Sequence, residues 1–449
     1  MKRGGRLGAA LLLLAIVASF GLGFARRGAG REAAAQSTAT KPDGVGPIDQ
    51  PLPDGAVVAD DESALTRLVK DPAGPAVIGL DARVYEIDLE IKRPLTLVGR
   101  AGAIIQGTGT RTVVTIDADD VHLENVVVRR SGKRHTAEDA GVKAKGERVV
   151  LSHVRVEDAL FGIALQLCPA CVVEKSHVIG RAEDPELRGD AVKIWESDNA
   201  RVSGCFVEDS RDIVVWYARH VTLEDNLVTR SRYGSHFMYA HDSTVRRSRI
   251  VGNVVGVFVM YSSRVVAEDN VVAGARGAAG IGFGFKESDD VELRRNYLVA
   301  NTVGAYLDQT PRKPGSKLTF DDNVLALNDV GLRLHGSEKG ARFHDNDFHE
   351  NASMVELDGA GDALGVEFRR NHFSDYEGYD LDRDGFGDVA YQEKLLSSEL
   401  TNTHPSLRFF HATAAMSLLD AVAHAVPVLS AKVVLTDPSP RVARAMEQP

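Results

Sequence analysis

The amino-acid sequence predicts an all-β chain wound as a parallel β-helix, and three observations predict it. A short phrase recurs down the chain. Its copies include Val121-His-Leu-Glu-Asn, Val221-Thr-Leu-Glu-Asp-Asn, Val265-Val-Ala-Glu-Asp-Asn, Val291-Glu-Leu-Arg-Arg-Asn, Leu318-Thr-Phe-Asp-Asp-Asn and Val366-Glu-Phe-Arg-Arg-Asn. The copies return at a period of roughly 21 to 28 residues, the range of a solenoid in which every coil extends one core. Each unit holds two or three short strands of alternating pattern and too few residues for a crossover helix. Many units continue into Gly-x-x-apolar, as at Gly162-Ile-Ala-Leu, Gly256-Val-Phe-Val and Gly331-Leu-Arg-Leu.

Taken in order, the chain opens with Lys2, Arg3 and Arg6 ahead of an uncharged apolar run from Leu7 to Ala25. That is the charged and apolar pattern of a secretory signal, so the protein is expected to be exported, with small-residue cleavage sites near Ala25 and Ala35. The run is almost long enough to span a bilayer and Arg26 and Arg27 follow it, so a retained membrane anchor is the alternative for residues 1–35. Residues 36–60 are rich in Ser, Thr, Pro and Gly and predict a flexible linker. Asp61 followed by Ala64, Leu65, Leu68 and Val69 predicts a capped helix over 61–70, covering the first coil. Strands are expected at Val77-Ile-Gly-Leu, Val84-Tyr-Glu-Ile and Leu95-Thr-Leu-Val, and the β-helix is expected to run through 61–375. An acidic loop over 376–400 and a C-terminal segment over 401–449 follow, the latter with an apolar helical pattern from Ala412 to Leu429 that would cap the rod or dock a partner.

Within the coils, Asn125, Asn226, Asn270, Asn296, Asn323, Asn346 and Asn371 are expected to stack at one bend, each amide bonding the next coil. His153, His177 and Cys205 stand in the matching register upstream and are expected to point inward as substitutes. About eleven coils spaced 4.8 Å apart would make a rod on the order of 50 Å long. The coil of Arg249 breaks the alternation by one residue, which places a bulge there. Cys168-Pro-Ala-Cys171 fits a redox pair, half a metal site or a simple disulfide, with Cys205 left over. With 53 basic and 63 acidic residues and a net charge of −10, nothing in the composition recruits nucleic acid.

Two stretches carry ligand chemistry. Gly234-Ser-His-Phe-Met-Tyr and Gly256-Val-Phe-Val-Met-Tyr repeat one phrase about one coil apart, in a chain with only six methionines. His236, Met238, His241 and Met260 therefore form a candidate soft-ligand set, and thioether with imidazole suits Cu(I) better than magnesium or calcium. Core filling is the alternative for a methionine next to an aromatic residue. Asp380, Asp382, Asp384 and Asp388 stand at alternate or near-alternate positions around Gly385, the spacing of a calcium loop, with Tyr391 where an acidic twelfth ligand is usual.

Parallel β-helices often carry polysaccharide lyases or epimerases, but fold alone licenses little. Asp190, Glu196, Asp209 and Asp212 with Lys193 are the acids and base such an enzyme would draw on, and they fall at bends where solvated charge is expected. The other class is a binding and delivery protein. Leu187-Arg-Gly-Asp-Ala-Val-Lys-Ile-Trp195, Arg232 to Ser243, Gly256 to Val266 and Ser374 to Tyr391 resemble, in order and spacing, blocks of the NosD family. The resemblance runs from about Leu95 to the C-terminal segment. It implies an exported, periplasmic, right-handed β-helix without catalysis of its own. Such a protein works beside an ABC transporter ATPase and permease, with a copper chaperone, to supply copper for the copper-sulfur centre of nitrous oxide reductase. The family's His-x-Met-Tyr block falls on His236, Met238 and Tyr239, and its second Met-Tyr block on Met260 and Tyr261. Two departures stand out: the family's His-Leu-Trp block is Lys193-Ile-Trp195 here, and the family pattern has no cysteines at Cys168 and Cys171.

Overall fold

The computed structural model describes residues 42–394 apart from 185, 337–338 and 358–362, and parts of 396–444. Its body is a right-handed parallel β-helix. Three parallel sheets of 14, 13 and 12 strands run its length, each strand pairing with the equivalent strand one coil before and after. The stack is longer than the recurring phrase indicates, because its first strands, Val57–Ala59 to Ile104–Gln106, carry no copy of that phrase. The helix Glu62–Lys70 covers the first coil, capped by the Asp61 carboxylate accepting the Ala64 N–H at 2.7 Å, with Leu65 and Val69 buried beneath it. The expected C-terminal helix over 412–429 lies almost wholly outside the described residues, as does everything before residue 42. Among the described residues no helix is long and apolar enough to cross a membrane.

The bend that ends each phrase turns on one residue in the left-handed region, and this sets which residue of the phrase points inward. At the bend between the first and second sheets that residue is Asp225, Arg247, Asp269, Arg295, Asp322, Asp345 and Arg370 in successive coils. The residue after it is buried. There Asn270, Asn296, Asn323, Asn346 and Asn371 form an unbroken ladder, each Nδ2 donating to the next Oδ1 at 2.9–3.0 Å. Asn226 occupies the same column but bonds to the Val202 carbonyl and the Cys205 N–H, and Ser248 fills the step between it and Asn270. Asp437 closes the far end, its carboxylate accepting both the backbone and side-chain N–H of Asn371.

Three positions in this column differ from the expectation. Asn125 and His153 are themselves the left-handed residues, with φ of 57° and 53°, and His177 is the first residue of the following strand. Of the three upstream substitutes only Cys205 stands in the ladder column. Asn125 instead holds the N-terminal segment against the rod, exchanging hydrogen bonds with the N–H and carbonyl of Ile48 at 2.6 and 3.0 Å. A second ladder, Asn301, Asn328 and Asn351, runs along the next bend. The bulge expected at Arg249 is absent: Arg249–Val251 pairs in register with both neighbours, and the register shift lies in the third sheet, where Asp212 and Val214 face Tyr233 and His236.

Cys168 and Cys171 form a disulfide, which removes both as metal ligands. The Cys205 thiol is free and buried, and burial pushes it up to about 12, so it stays protonated and inert.

Candidate metal centre

Parallel pairing in register lines the outward residues of the third sheet into straight columns. One column runs Gln166, Trp195, Trp216, Met238, Met260 and Lys286; its neighbour runs Lys193, Val214, His236, Phe258 and Gly284. Alternation along the strands sends Phe237, Val257 and Val259 into the core, where they are buried. His236, Met238, Phe258 and Met260 consequently lie on the outside of the rod, half-buried. The Phe258 ring lies over Gly284, where a Cβ would stand 2.3 Å from its Cε2.

Of the four soft-ligand candidates, three come together. His236 Nε2 lies 3.3 Å from Met260 Sδ, and Met238 is the direct cross-strand partner of Met260. Metal bonds to imidazole nitrogen and to sulfur run about 2.0 and 2.3 Å, so donor atoms at that separation can share one ion. His241 belongs to a different group. The strand ends at Met238, Tyr239 turns the chain with φ of 50°, and His241 beyond it places Nδ1 2.8 Å from Ser263 Oγ. There it lines a cleft with Tyr239, Tyr261, Glu287, Arg312 and Lys313. Burial first, then the charges of Arg219 and Arg264, hold the His241 imidazole below its ordinary value.

The sheet is bent to make this arrangement. Tyr233 and His236 are three residues apart, which in a regular strand puts them on opposite faces. The register shift against Asp212 and Val214 inserts one residue and brings both to one side, their rings nearly parallel with centroids 4.8 Å apart. Gly234 is required within it, since a Cβ would stand 2.2 Å from Ile250 Cγ2 and 2.7 Å from the Gly256 carbonyl oxygen. Asp212, buried on the preceding coil, accepts two N–H groups from Arg232 at 2.7 and 3.2 Å and lies 3.6 Å from His236 Nδ1. Burial alone would raise its carboxyl; interactions with His236 and Arg232 outweigh that and hold it below the usual carboxylate range. The Arg232 guanidinium sits 4.8 Å over the Tyr233 ring.

The acids named for carbohydrate chemistry do not line an open groove. Asp190 and Asp212 are buried, against the expectation of solvated charge, because both turn under the strand start, where Arg211 and Arg232 face them. Burial, then the Asp212 charge, pushes Asp190 up to about 6. Asp209 pairs with Arg230 at 2.8 Å, Lys193 pairs with Glu138 at 2.5 Å, and Glu196 is an exposed turn residue. Tyr217, Tyr239 and Tyr261 stack ring on ring at 5.0 and 5.1 Å along the rod, turning their faces to each other. A sugar-stacking platform needs the opposite orientation.

At the acidic loop Asp380, Asp382 and Asp384 bring carboxylate oxygens within 4.8 Å of one another. Asp380 accepts backbone N–H groups from Arg383, Asp384 and Gly385 at 2.6, 3.2 and 2.9 Å. Asp388 stays outside that group and accepts the Leu381 N–H at 2.6 Å.

Fold and face together define a right-handed parallel β-helix that carries a thioether-imidazole cluster on the outside of one sheet. A family model described as periplasmic copper-binding protein (NosD) matches residues 170–378, which include that cluster. Two relatives carry the description "Probable ABC transporter binding protein NosD". The one from Stutzerimonas stutzeri is 26% identical over 402 residues, 84% of this chain and 88% of the relative. The one from Pseudomonas aeruginosa is 25% identical over 404 residues, 78% and 84% of the two chains. The chain is thus similar to the NosD family across the coils that carry the cluster, and to two NosD proteins over most of its length. Among solved structures, the catalytic unit of an α-1,3-glucanase from Streptomyces thermodiastaticus superposes with a TM-score of 0.54 at 14% identity, covering 75% of this chain and 71% of that one. At that identity the likeness concerns the fold.

Proposed function

We propose that this protein is an exported, periplasmic accessory subunit that carries Cu(I) beside an ABC transporter for the maturation of nitrous oxide reductase. The observation that carries this reading is the contact of His236 Nε2 with Met260 Sδ at 3.3 Å on the outer face, with Met238 paired to Met260. Two thioethers and one imidazole are soft donors that favour Cu(I) over the hard cations. A half-buried, outward position suits a cargo that must be received and released, whereas a structural ion is better held inside. The copper-binding description of the family and the ABC transporter binding description of the two relatives agree with this reading. A copper chaperone would load the site, the permease and ATPase would be the membrane partners, and the reductase would be the client. No catalytic step is assigned: Asp212 is clamped by Arg232, Asp190 is buried 3.6 Å from Arg211, and the tyrosines of the aromatic column stack on one another.

The test is an anaerobic Cu(I) titration of residues 36–449 against a competing chelator, beside Met238→Ala/Met260→Ala. Binding that weakens at least a hundredfold in the double variant supports the assignment. Equal binding by both proteins removes it, and no binding by the wild type redirects the search to acidic polysaccharides.

A further inference from the structure

Resting on the copper reading, a second question is what makes His236 a ligand and not merely a surface histidine. A neutral imidazole carries one proton on one of two nitrogens, and its other nitrogen offers an electron pair. Here both nitrogens face acceptors, but of unequal strength: a charged carboxylate beside Nδ1 and a weakly accepting thioether beside Nε2. Nδ1 faces the Asp212 carboxylate at 3.6 Å, beyond hydrogen-bond reach but close enough for charge to favour a proton on that side. Nε2 faces Met260 Sδ at 3.3 Å, and a thioether sulfur carries electron pairs and no proton. With the proton on Nδ1, two electron-pair donors confront each other, an arrangement that a soft cation between them relieves.

The ring is fixed by a closed circuit. Arg232 clamps Asp212 through two N–H groups and lies over the face of Tyr233; Tyr233 stacks on His236; His236 returns to Asp212. The inserted residue at Gly234 is what lets Tyr233 and His236 share a face, so the circuit depends on it. Carboxylates behind metal-binding histidines set tautomer and orientation in this manner.

We propose that Asp212, clamped by Arg232, is a positioning residue that holds the His236 proton on Nδ1 and leaves Nε2 free to bind a soft monovalent cation together with the two methionine sulfurs. The Asp212→Asn variant keeps the shape and removes the charge. Two readouts apply: the ¹⁵N and ¹H shifts of the His236 ring in the metal-free protein, and Cu(I) affinity by chelator competition. The Nδ1–H tautomer should dominate in the wild type and yield to a mixture in Asp212→Asn, with affinity lower by about ten- to a hundredfold. An unchanged tautomer, or an unchanged affinity, overturns the proposal. A wild type that ignores Cu(I) sinks the delivery reading, and the tautomer measurement then judges Asp212 alone. Should Asp212→Asn fail to fold, Arg232→Gln serves instead: it loosens the clamp but keeps the carboxylate, so affinity falls while Nδ1–H persists. Loss of Nδ1–H there would contradict the role of Asp212.

Discussion

Asn323 is the residue whose replacement most directly tests what holds the coils in register. It is buried in the middle of the ladder. Its Nδ2 donates to the Leu293 carbonyl and to Asn346 Oδ1, both at 3.0 Å, and its Oδ1 accepts the backbone and side-chain N–H of Asn296, both at 2.9 Å. In Asn323→Ala the Asn296 backbone N–H loses its partner outright and the Leu293 carbonyl loses its side-chain donor. At about 1–3 kcal/mol for each buried group left unsatisfied, the loss comes to about 4 kcal/mol. Against a stability on the order of 5–15 kcal/mol that is a large share. Asn323→Ser should cost about half as much, because Ser248 already serves in this column, accepting the Asn226 N–H at 3.3 Å. Solenoids unfold piecewise, so native-state hydrogen exchange at the Asn296 amide is the local readout, with denaturant unfolding as the global one. Exchange protection that survives Asn323→Ala, together with a stability change under about 1 kcal/mol, would refute the ladder's role.

Three further outcomes are expected. Asp190 has its carboxyl raised to about 6 from 3.8, so the folded state holds a proton the unfolded chain has released; the resulting stability is present below pH 3.8 and is lost as pH rises through 6. That amounts to about 3 kcal/mol, and Asp190→Asn should flatten the stability profile between pH 4 and 7; parallel profiles for the two proteins would contradict it. Gly234→Ala should destabilise by at least about 1–3 kcal/mol and weaken Cu(I) binding, since its Cβ meets the Gly256 carbonyl oxygen at 2.7 Å; a fully stable variant with wild-type affinity would show that the inserted residue is dispensable. Calcium should raise the melting temperature through the loop of Asp380, Asp382 and Asp384, and Asp380→Ala/Asp384→Ala should abolish the shift; a shift that survives the double variant places the ion elsewhere.

The repeating phrase made the parallel β-helix and most of the ladder legible, because a buried amide every coil leaves a regular trace. The errors are instructive. Asn125 follows Val121 by four positions, whereas Asn226, Asn270, Asn296 and Asn371 follow their valines by five. That single step separates the left-handed bend residue from the inward one, and spacing alone could have shown it. The second ladder also left a trace, asparagines five residues apart at 296 and 301, 323 and 328, and 346 and 351. At the candidate site, alternation placed His236, Met238 and Met260 on one face. It could not exclude His241, because nothing in the residues said that the strand stops at Met238. Nor could it supply Asp212, whose place beneath His236 depends on an inserted residue that exists only once two coils are paired.

The central claim is that the outer face of the third sheet binds Cu(I) through His236, Met238 and Met260. Copper K-edge X-ray absorption of the Cu(I)-loaded protein tests it most directly. One nitrogen and two sulfur scatterers at roughly 2.0–2.3 Å are expected, with both sulfurs lost in Met238→Ala/Met260→Ala. A shell of nitrogen and oxygen alone, or a spectrum that the double substitution leaves unchanged, would contradict the claim.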